Sequence, residues 1–199
     1  MRPEYLIPVL SYFLGSIPFG YILVKATTGT DIRRAGSGNI GATNVFRKNR
    51  WVGILTFILD AGKGYLAVLA AGWIAGDVRW QAAAALASIL GHVFTVFLGF
   101  KGGRGVAVGF GSFLALAPAA VGITMIVFFL TAFLTRYISL ASILATAAYP
   151  LWAYLYQEPA TVLWASVLGS ALIVAKHHQN IRRLLSGTEN KFAAGSRSE

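Results

Sequence analysis

The stretch Gly36 to Asn44, GSGNIGATN, concentrates the residue types that hold an anion. Closely spaced glycines let successive backbone N–H groups face one point, and short polar side chains add donors. Gly36 and Gly38 supply the backbone freedom, Ser37, Asn39, Thr43 and Asn44 the donors, and Arg33, Arg34 and Arg47 the charge. The Gly-x-x-x-x-Gly-Lys-Ser/Thr spacing of a nucleotide-binding loop is absent. Composition alone also fits a flexible turn between helices, because Gly and Asn are ordinary turn formers.

Two further segments have similar chemistry. In GFKGGRGVAVGFG, Gly99 to Gly111, the cations Lys101 and Arg104 bracket Gly102 and Gly103, and Gly105 opens a helix whose free N–H groups favour an anion. The same glycines also fit close helix packing. In KHHQNIRRLLSGTENK, Lys176 to Lys191, His177, Asn180 and Arg183 fall on one helical face, where an imidazole, an amide and a cation can converge. A basic amphipathic end lying on anionic lipid is the other reading of that segment. His177 and His178 diverge by about 100° on a helix, so they do not form a shared metal site, and no metal is expected.

The elements that must position these residues are membrane helices. Only 12% of the 199 residues are charged and 56% are hydrophobic, with a mean hydropathy of +0.65. A soluble domain carries roughly 25% charged residues. The net charge of +10 sits in short gaps between apolar runs, as the positive-inside bias requires, and does not call for nucleic acid. With no cysteine, thiol nucleophiles, cysteine-ligated metals and disulfides are excluded. The first run is too long for a signal peptide and lacks an Ala-x-Ala site.

Spans of about 20 residues are expected over Tyr5–Val24, Trp51–Ala75, Trp80–Phe100, Gly105–Ala117, Pro118–Leu134, Tyr137–Tyr156 and Ala160–Lys176. The short fourth run raises the alternative of one long helix kinked at Pro118. Charge decides for seven: nearly all of the 17 Lys and Arg residues, from Lys25 to Arg197, then share one side, leaving only Arg2 and Arg79 opposite and Lys63 within a span. The fold expected is all-α, a single polytopic domain over 1–199 with the amino terminus outside and the carboxy terminus cytosolic. All three donor-rich segments meet on the cytosolic face. Asp60 lies about 13 Å inward from Trp51 and His92 about 12 Å inward from Phe100, so they are candidates for a buried orienting pair, with Lys63 a competing partner.

Taken together, the motifs resemble the bacterial acyl-phosphate:glycerol-3-phosphate acyltransferases, the PlsY family. The likeness runs through YFLGSIPFGYI (Tyr12–Ile22), DIRRAGSGNIGATNVFR (Asp31–Arg47), LDAGKG (Leu59–Gly64), LGHVFTVFLGFKGGRGVA (Leu90–Ala107) and HHQNIRRLLSGTE (His177–Glu189). Val108 stands where threonine often ends the second motif, and Thr95 where proline is usual.

The resemblance implies transfer of a fatty acyl group from acyl phosphate to the 1-hydroxyl of glycerol 3-phosphate at the bacterial inner membrane, giving lysophosphatidate and phosphate without a cofactor. Ser37, Asn39, His177 and Asn180 are the expected catalytic residues. Gly36, Gly38, Thr43, Asn44, Arg47, Lys101, Gly102, Gly103, Arg104, Gly105 and Arg183 are expected to bind substrate. Expected partners are acyl phosphate, glycerol 3-phosphate, membrane lipid and the enzyme that makes acyl phosphate. A transporter of organic phosphate anions is the rival reading; it calls for a midplane site between two related halves, and no internal repeat is present.

Overall fold

The computed structural model describes residues 3–192, and all of their regular structure is helical. Arg2, Arg197 and the polar end at 193–199 lie outside the described residues. In chain order the helices are α1 (Ile7–Ser16), α2 (Phe19–Thr28), α3 (Ala42–Lys48), α4 (Arg50–Ala75), α5 (Val78–Val93), α6 (Val106–Leu116), α7 (Pro118–Thr135), α8 (Ile138–Leu155), α9 (Ala160–Ala175) and α10 (His178–Leu185). Asn49 starts α4 by accepting the Val52 N–H at 3.1 Å, and Asp77 starts α5 by accepting the Arg79 N–H at 2.8 Å.

Among the described residues, five helical segments are long and apolar enough to cross a membrane: Glu4–Thr28, Arg50–Ala75, Val78–Leu98, Pro118–Thr135 and Ile138–Leu155. Ala160–Ala175 joins His178–Leu185 through a 56° bend and makes a sixth if the pair is one span. Helix α6 differs from the expectation in length: its 11 residues cover about 16 Å, half of a hydrocarbon core. Ala117 leaves the helical region at φ −144°, ψ 70°, and Pro118 opens α7, so α6 and α7 are separate helices rather than one kinked rod.

Span Glu4–Thr28 is broken at Ile17–Pro18, where proline brings no N–H. A break inside a bilayer exposes carbonyls that lipid cannot satisfy. Here two side chains from neighbouring helices take them: Thr95 Oγ1 donates to Ser16 O at 2.5 Å and Lys63 Nζ donates to Ile17 O at 2.6 Å. The first of these bonds needs the hydroxyl that Thr95 brings. Helix α1 can lie this close to α5 because Gly15 and Gly91 have no side chain; a Cβ on Gly15 would strike the backbone of Ser88, and one on Gly91 that of Tyr12.

Lys63 is almost completely buried and its ammonium meets three partners: it donates to Ile17 O, ion-pairs with the Asp60 carboxylate at 2.7 Å and lies 3.1 Å from His92 Nδ1. His92 Nδ1 stands 3.7 Å from the same carboxylate oxygen. The expected Asp60–His92 pair is therefore a triad with Lys63 between its members. An ammonium cannot accept, so His92 Nδ1 does, and the ring proton resides on Nε2. The main apolar core lies beyond this node, with Ile89, Val108, Phe113, Val162 and Ile173 packed between α5, α6 and α9.

Replacing Lys63 with methionine leaves the Asp60 carboxylate and the Ile17 carbonyl unpaired in an apolar interior. The expected loss is about 3 to 5 kcal/mol, read as a lowered thermal midpoint in detergent. The double variant Asp60→Leu/Lys63→Met removes the stranded charge and is expected to recover most of it. A Lys63→Met protein as stable as wild type would show that the node does not hold the break.

Candidate active site

The first donor-rich loop is organised by its own side chains. Asn44, 4% exposed, accepts the Ser37 N–H at 3.0 Å and donates to Ala35 O at 3.0 Å and Asn39 O at 2.9 Å. Asn39 Oδ1 accepts the Gly41 N–H at 2.6 Å, and the Gly38 N–H goes to Ala35 O at 3.0 Å. Gly36 and Gly38 sit at φ 56° and 70°, conformations that suit glycine. The loop's backbone N–H groups at 37, 38 and 41 are thus spent internally, and Asn44 is its staple rather than a free donor. Ser37 Oγ, Thr43 Oγ1 and the Asn39 amide nitrogen have no partner among the described residues.

Of the three arginines in this region only Arg47 lines the pocket. Arg33 pairs with Asp31 at 2.7 Å and lies over the Tyr21 ring at 5.0 Å. Hydrogen bonds from the Arg33 side chain and backbone hold the Asp31 carboxyl down at about 2.

The second loop folds back on the end of α5. The Gly102 N–H donates to Val93 O and the Gly103 N–H to His92 O, both at 3.1 Å. A Cβ on Gly102 would strike the His92 carbonyl, and one on Gly103 its imidazole. These glycines serve close approach, and their N–H groups are not available to an anion. Lys101 is exposed and lies outside the pocket lining. Gly105, at φ 89°, turns the chain into α6, and it lines the pocket with Arg104, Val106 and Ala107. The first N–H groups of α6 have no partner within their helix and face the same space.

The third segment closes the site. His177, 2% exposed, donates Nδ1–H to Ile173 O at 2.8 Å, which leaves Nε2 as an acceptor. Burial brings its pKa down to about 4, so the ring is neutral at pH 7. His178 is exposed and turned to Ala175 O. Asn180 donates to Glu189 Oε1 at 2.9 Å, while its own Oδ1 is buried without a partner. Among the described residues nothing donates to that acceptor.

Glu189 ends the third motif, but the motif reading gave it no role. Its carboxylate, 5% exposed, accepts from Asn180 and Ser139 at 2.9 Å and from Arg183 Nε at 2.7 Å. Burial alone would raise its pKa, but these hydrogen bonds outweigh that and hold it below the usual value. The chain reverses at Gly187, φ 69°, to bring Glu189 back. Asn190 O then accepts from Arg47 at 3.3 Å, and the Phe192 ring meets Phe46 at 5.6 Å. The turn residues Ser186 and Gly187 ahead of a lone acid were the available signal.

The result is a pocket of about 160 Å³ that gathers Ser37, Asn39, Thr43, Asn44, Arg47, Asp60, His92, Arg104, Gly105, His177, Asn180 and Arg183. Gly36, Gly38, Lys101, Gly102 and Gly103 stand behind it. Three guanidiniums face one carboxylate, Asp60 being balanced by Lys63, so the pocket carries a surplus of two positive charges. Arg104 has no ion-pair partner among the described residues. Burial, with Arg183 and Arg47 nearby, brings its pKa to about 10, and it stays cationic at pH 7. An apolar end is formed by Phe57, Val106, Phe128 and Ile138. A dianion with a short polar body and an apolar extension is the complementary ligand.

Known proteins resemble this chain over nearly its whole length. The family described as glycerol-3-phosphate acyltransferase matches residues 5–187. The glycerol-3-phosphate acyltransferase of Geotalea daltonii is 49% identical over 193 residues, 96% of this chain and 99% of the relative. That of Trichlorobacter lovleyi is 52% identical, covering 92% and 95%. Two crystal structures of PlsY, an integral membrane glycerol 3-phosphate acyltransferase, superpose closely. The glycerol 3-phosphate form has a TM-score of 0.91 and 40% identity and covers 96% of each chain. The lysophosphatidic acid form has a TM-score of 0.88 and 38% identity over 96% and 95%.

The depressed pKa of His177 has a stability consequence. Between pH 6.5 and 4 an unfolded chain takes up a proton that the folded chain refuses, so this group's stability contribution is present above pH 6.5 and is lost as pH falls. Between pH 7 and 4.5 the wild type is expected to lose about 2 kcal/mol more than His177→Asn, measured as thermal midpoints in detergent. Parallel pH curves for the two proteins would mean that the ring protonates freely in place.

Proposed function

Because the chain belongs to the glycerol-3-phosphate acyltransferase family, an enzyme family of phospholipid synthesis, we propose that it moves a fatty acyl group from acyl phosphate to the 1-hydroxyl of glycerol 3-phosphate. The products are 1-acyl-glycerol 3-phosphate and inorganic phosphate. The observation that carries this reading is the surplus of two positive charges in a pocket with an apolar end, and no side-chain base hydrogen-bonded to Ser37.

Acyl phosphate is already activated, so the protein has to hold two anions and align a hydroxyl with a carbonyl. Arg104, Arg47, neutral His177 and the unpartnered Asn180 Oδ1 hold glycerol 3-phosphate, the last accepting from a substrate hydroxyl. Arg183, fixed by Glu189, adds charge. Ser37, Thr43, Asn39 and the first N–H groups of α6 hold the donor phosphate; Gly36, Gly38, Lys101, Gly102 and Gly103 shape the loops behind them. The 1-hydroxyl oxygen attacks the acyl carbon, the bond from that carbon to the phosphate oxygen breaks, and the departing phosphate takes the hydroxyl proton. Asp60 and His92 act as a positioning pair beneath the site.

In the membrane, the five long apolar segments, α9 and the short α6 are read as seven spans, because that count puts Lys and Arg on one side. The amino terminus is outside, and the pocket and carboxy terminus face the cytosol of a bacterial inner membrane, where the enzyme making acyl phosphate delivers the donor. What supports this is the clustering of Lys and Arg on one side. A transporter would need its site near the midplane, whereas these side chains come from helix ends and the loops between them.

Purified protein mixed with palmitoyl phosphate is expected to release inorganic phosphate only when glycerol 3-phosphate is present, with EDTA without effect and palmitoyl-CoA inactive as donor. No release from a folded preparation would sink the reading. Arg104→Ala is expected to raise the KM for glycerol 3-phosphate at least tenfold, because a phosphate dianion loses its free cation. An unchanged KM removes Arg104 from that role, and a stable acyl adduct on Ser37 in mass spectra overturns direct attack.

A further inference from the structure

A second cavity lies between α6, α7, α8 and α9 and shares Val106, Phe128 and Ser142 with the first. Three helices line it at one spacing: Val106, Gly109, Phe110 and Phe113 from α6, Val121, Thr124, Met125 and Phe128 from α7, and Ser142, Ala145, Thr146 and Tyr149 from α8. Positions i, i+3, i+4 and i+7 form one stripe of a helix, so three stripes face a common axis. Gly109 keeps the passage open, since a Cβ there would press on Ile173 at 2.9 Å. The far end is closed by the Phe113 and Tyr149 rings, 4.5 Å apart, and by Val121. From Val106 to Phe113 is about 10 Å, the length of roughly eight methylenes in an extended chain.

We infer that this channel receives the carbonyl-proximal part of the acyl chain and that the Phe113–Tyr149 floor, with Thr146 on its wall, sets how the enzyme discriminates acyl length. The inference rests on the acyltransferase reading of the adjoining pocket. Continuity with that pocket names the occupant. A carbonyl held beside the N-terminus of α6 puts the first methylenes at Val106 and Phe128, and the apolar cavity that shares this lining runs on along α6. Each methylene added inside the channel gains contact with its walls; past the floor the chain has to turn aside, and further methylenes gain nothing there. The small residues Ser142, Ala145 and Thr146 on α8 leave room for a chain that larger ones would fill.

The test uses reconstituted full-length protein and saturated acyl phosphates of four to eighteen carbons, each variant compared with wild type at the same chain length so that donor partition into lipid cancels. In wild type, kcat/KM is expected to rise with each methylene and to level off near eight carbons. Thr146→Phe is expected to lower kcat/KM for palmitoyl phosphate at least tenfold, with butyryl phosphate and the KM for glycerol 3-phosphate within twofold. Tyr149→Ala is expected to move the levelling point to longer chains. Active variants with unchanged length profiles overturn the inference and place the tail in lipid. Equal loss for butyryl and palmitoyl phosphate in Thr146→Phe, with Tyr149→Ala unchanged in profile, overturns it as well. A wild type that transfers no acyl group at any length instead sinks the acyltransferase reading on which it rests.

Discussion

A proline in a membrane helix creates a debt of hydrogen bonds, and in this protein the debt is met by Lys63. Its ammonium joins the free Ile17 carbonyl of the first span, the Asp60 carboxylate of α4 and the Nδ1 of His92 on α5. Lipid offers no donor, so the break exists only where a neighbouring helix brings one. The consequences run outward. With α5 held against the break, His92 is fixed; its carbonyl and ring receive Gly102 and Gly103; and that contact sets where Arg104 and the start of α6 stand. The anion pocket is thus built on a charge node that itself carries no net charge.

The pocket walls follow a second constraint. Arginines held close together in a partly dry site repel one another, and without a counter-charge they would splay toward water. Glu189 supplies it for Arg183 alone, while also fixing Asn180 and Ser139, so one carboxylate links α8, α10 and the reversed chain end. Among the described residues Arg104 has no ion-pair partner, and Asn180 keeps an unused acceptor. Unsatisfied charge and hydrogen-bonding capacity are costly in an empty site, and they are the groups a phosphate and a hydroxyl can satisfy. Stability is lowered where binding is to happen.

Helix α6 joins the two functions. Its first turn lines the positively charged pocket and its apolar stripe lines the second cavity, so one short rod borders both a polar and an apolar space. Its length of 11 residues, about 16 Å, sets how far the closing rings stand from the pocket. A longer helix would deepen the channel, and a shorter one would lose the floor.

Much of this was legible in the residues themselves. Apolar runs of the right length, the one-sided basic residues and the donor-rich segments follow from local composition, because a bilayer punishes every misplaced charge in a way that a sequence must record. The depth of Asp60 and His92 could be counted along helices. What could not be read is which donors are already taken. Gly102, Gly103 and Asn44 have the chemistry of an anion site, yet their groups are bonded to partners elsewhere in the chain, and Lys101 is exposed outside the pocket lining. Glu189, which closes the third motif with no role assigned from residue type, is the staple of the pocket. A hydrogen-bonding group is available or spent according to its neighbours in space, and those neighbours are set by helix packing; residue type was written in the sequence, availability was decided by the tertiary structure.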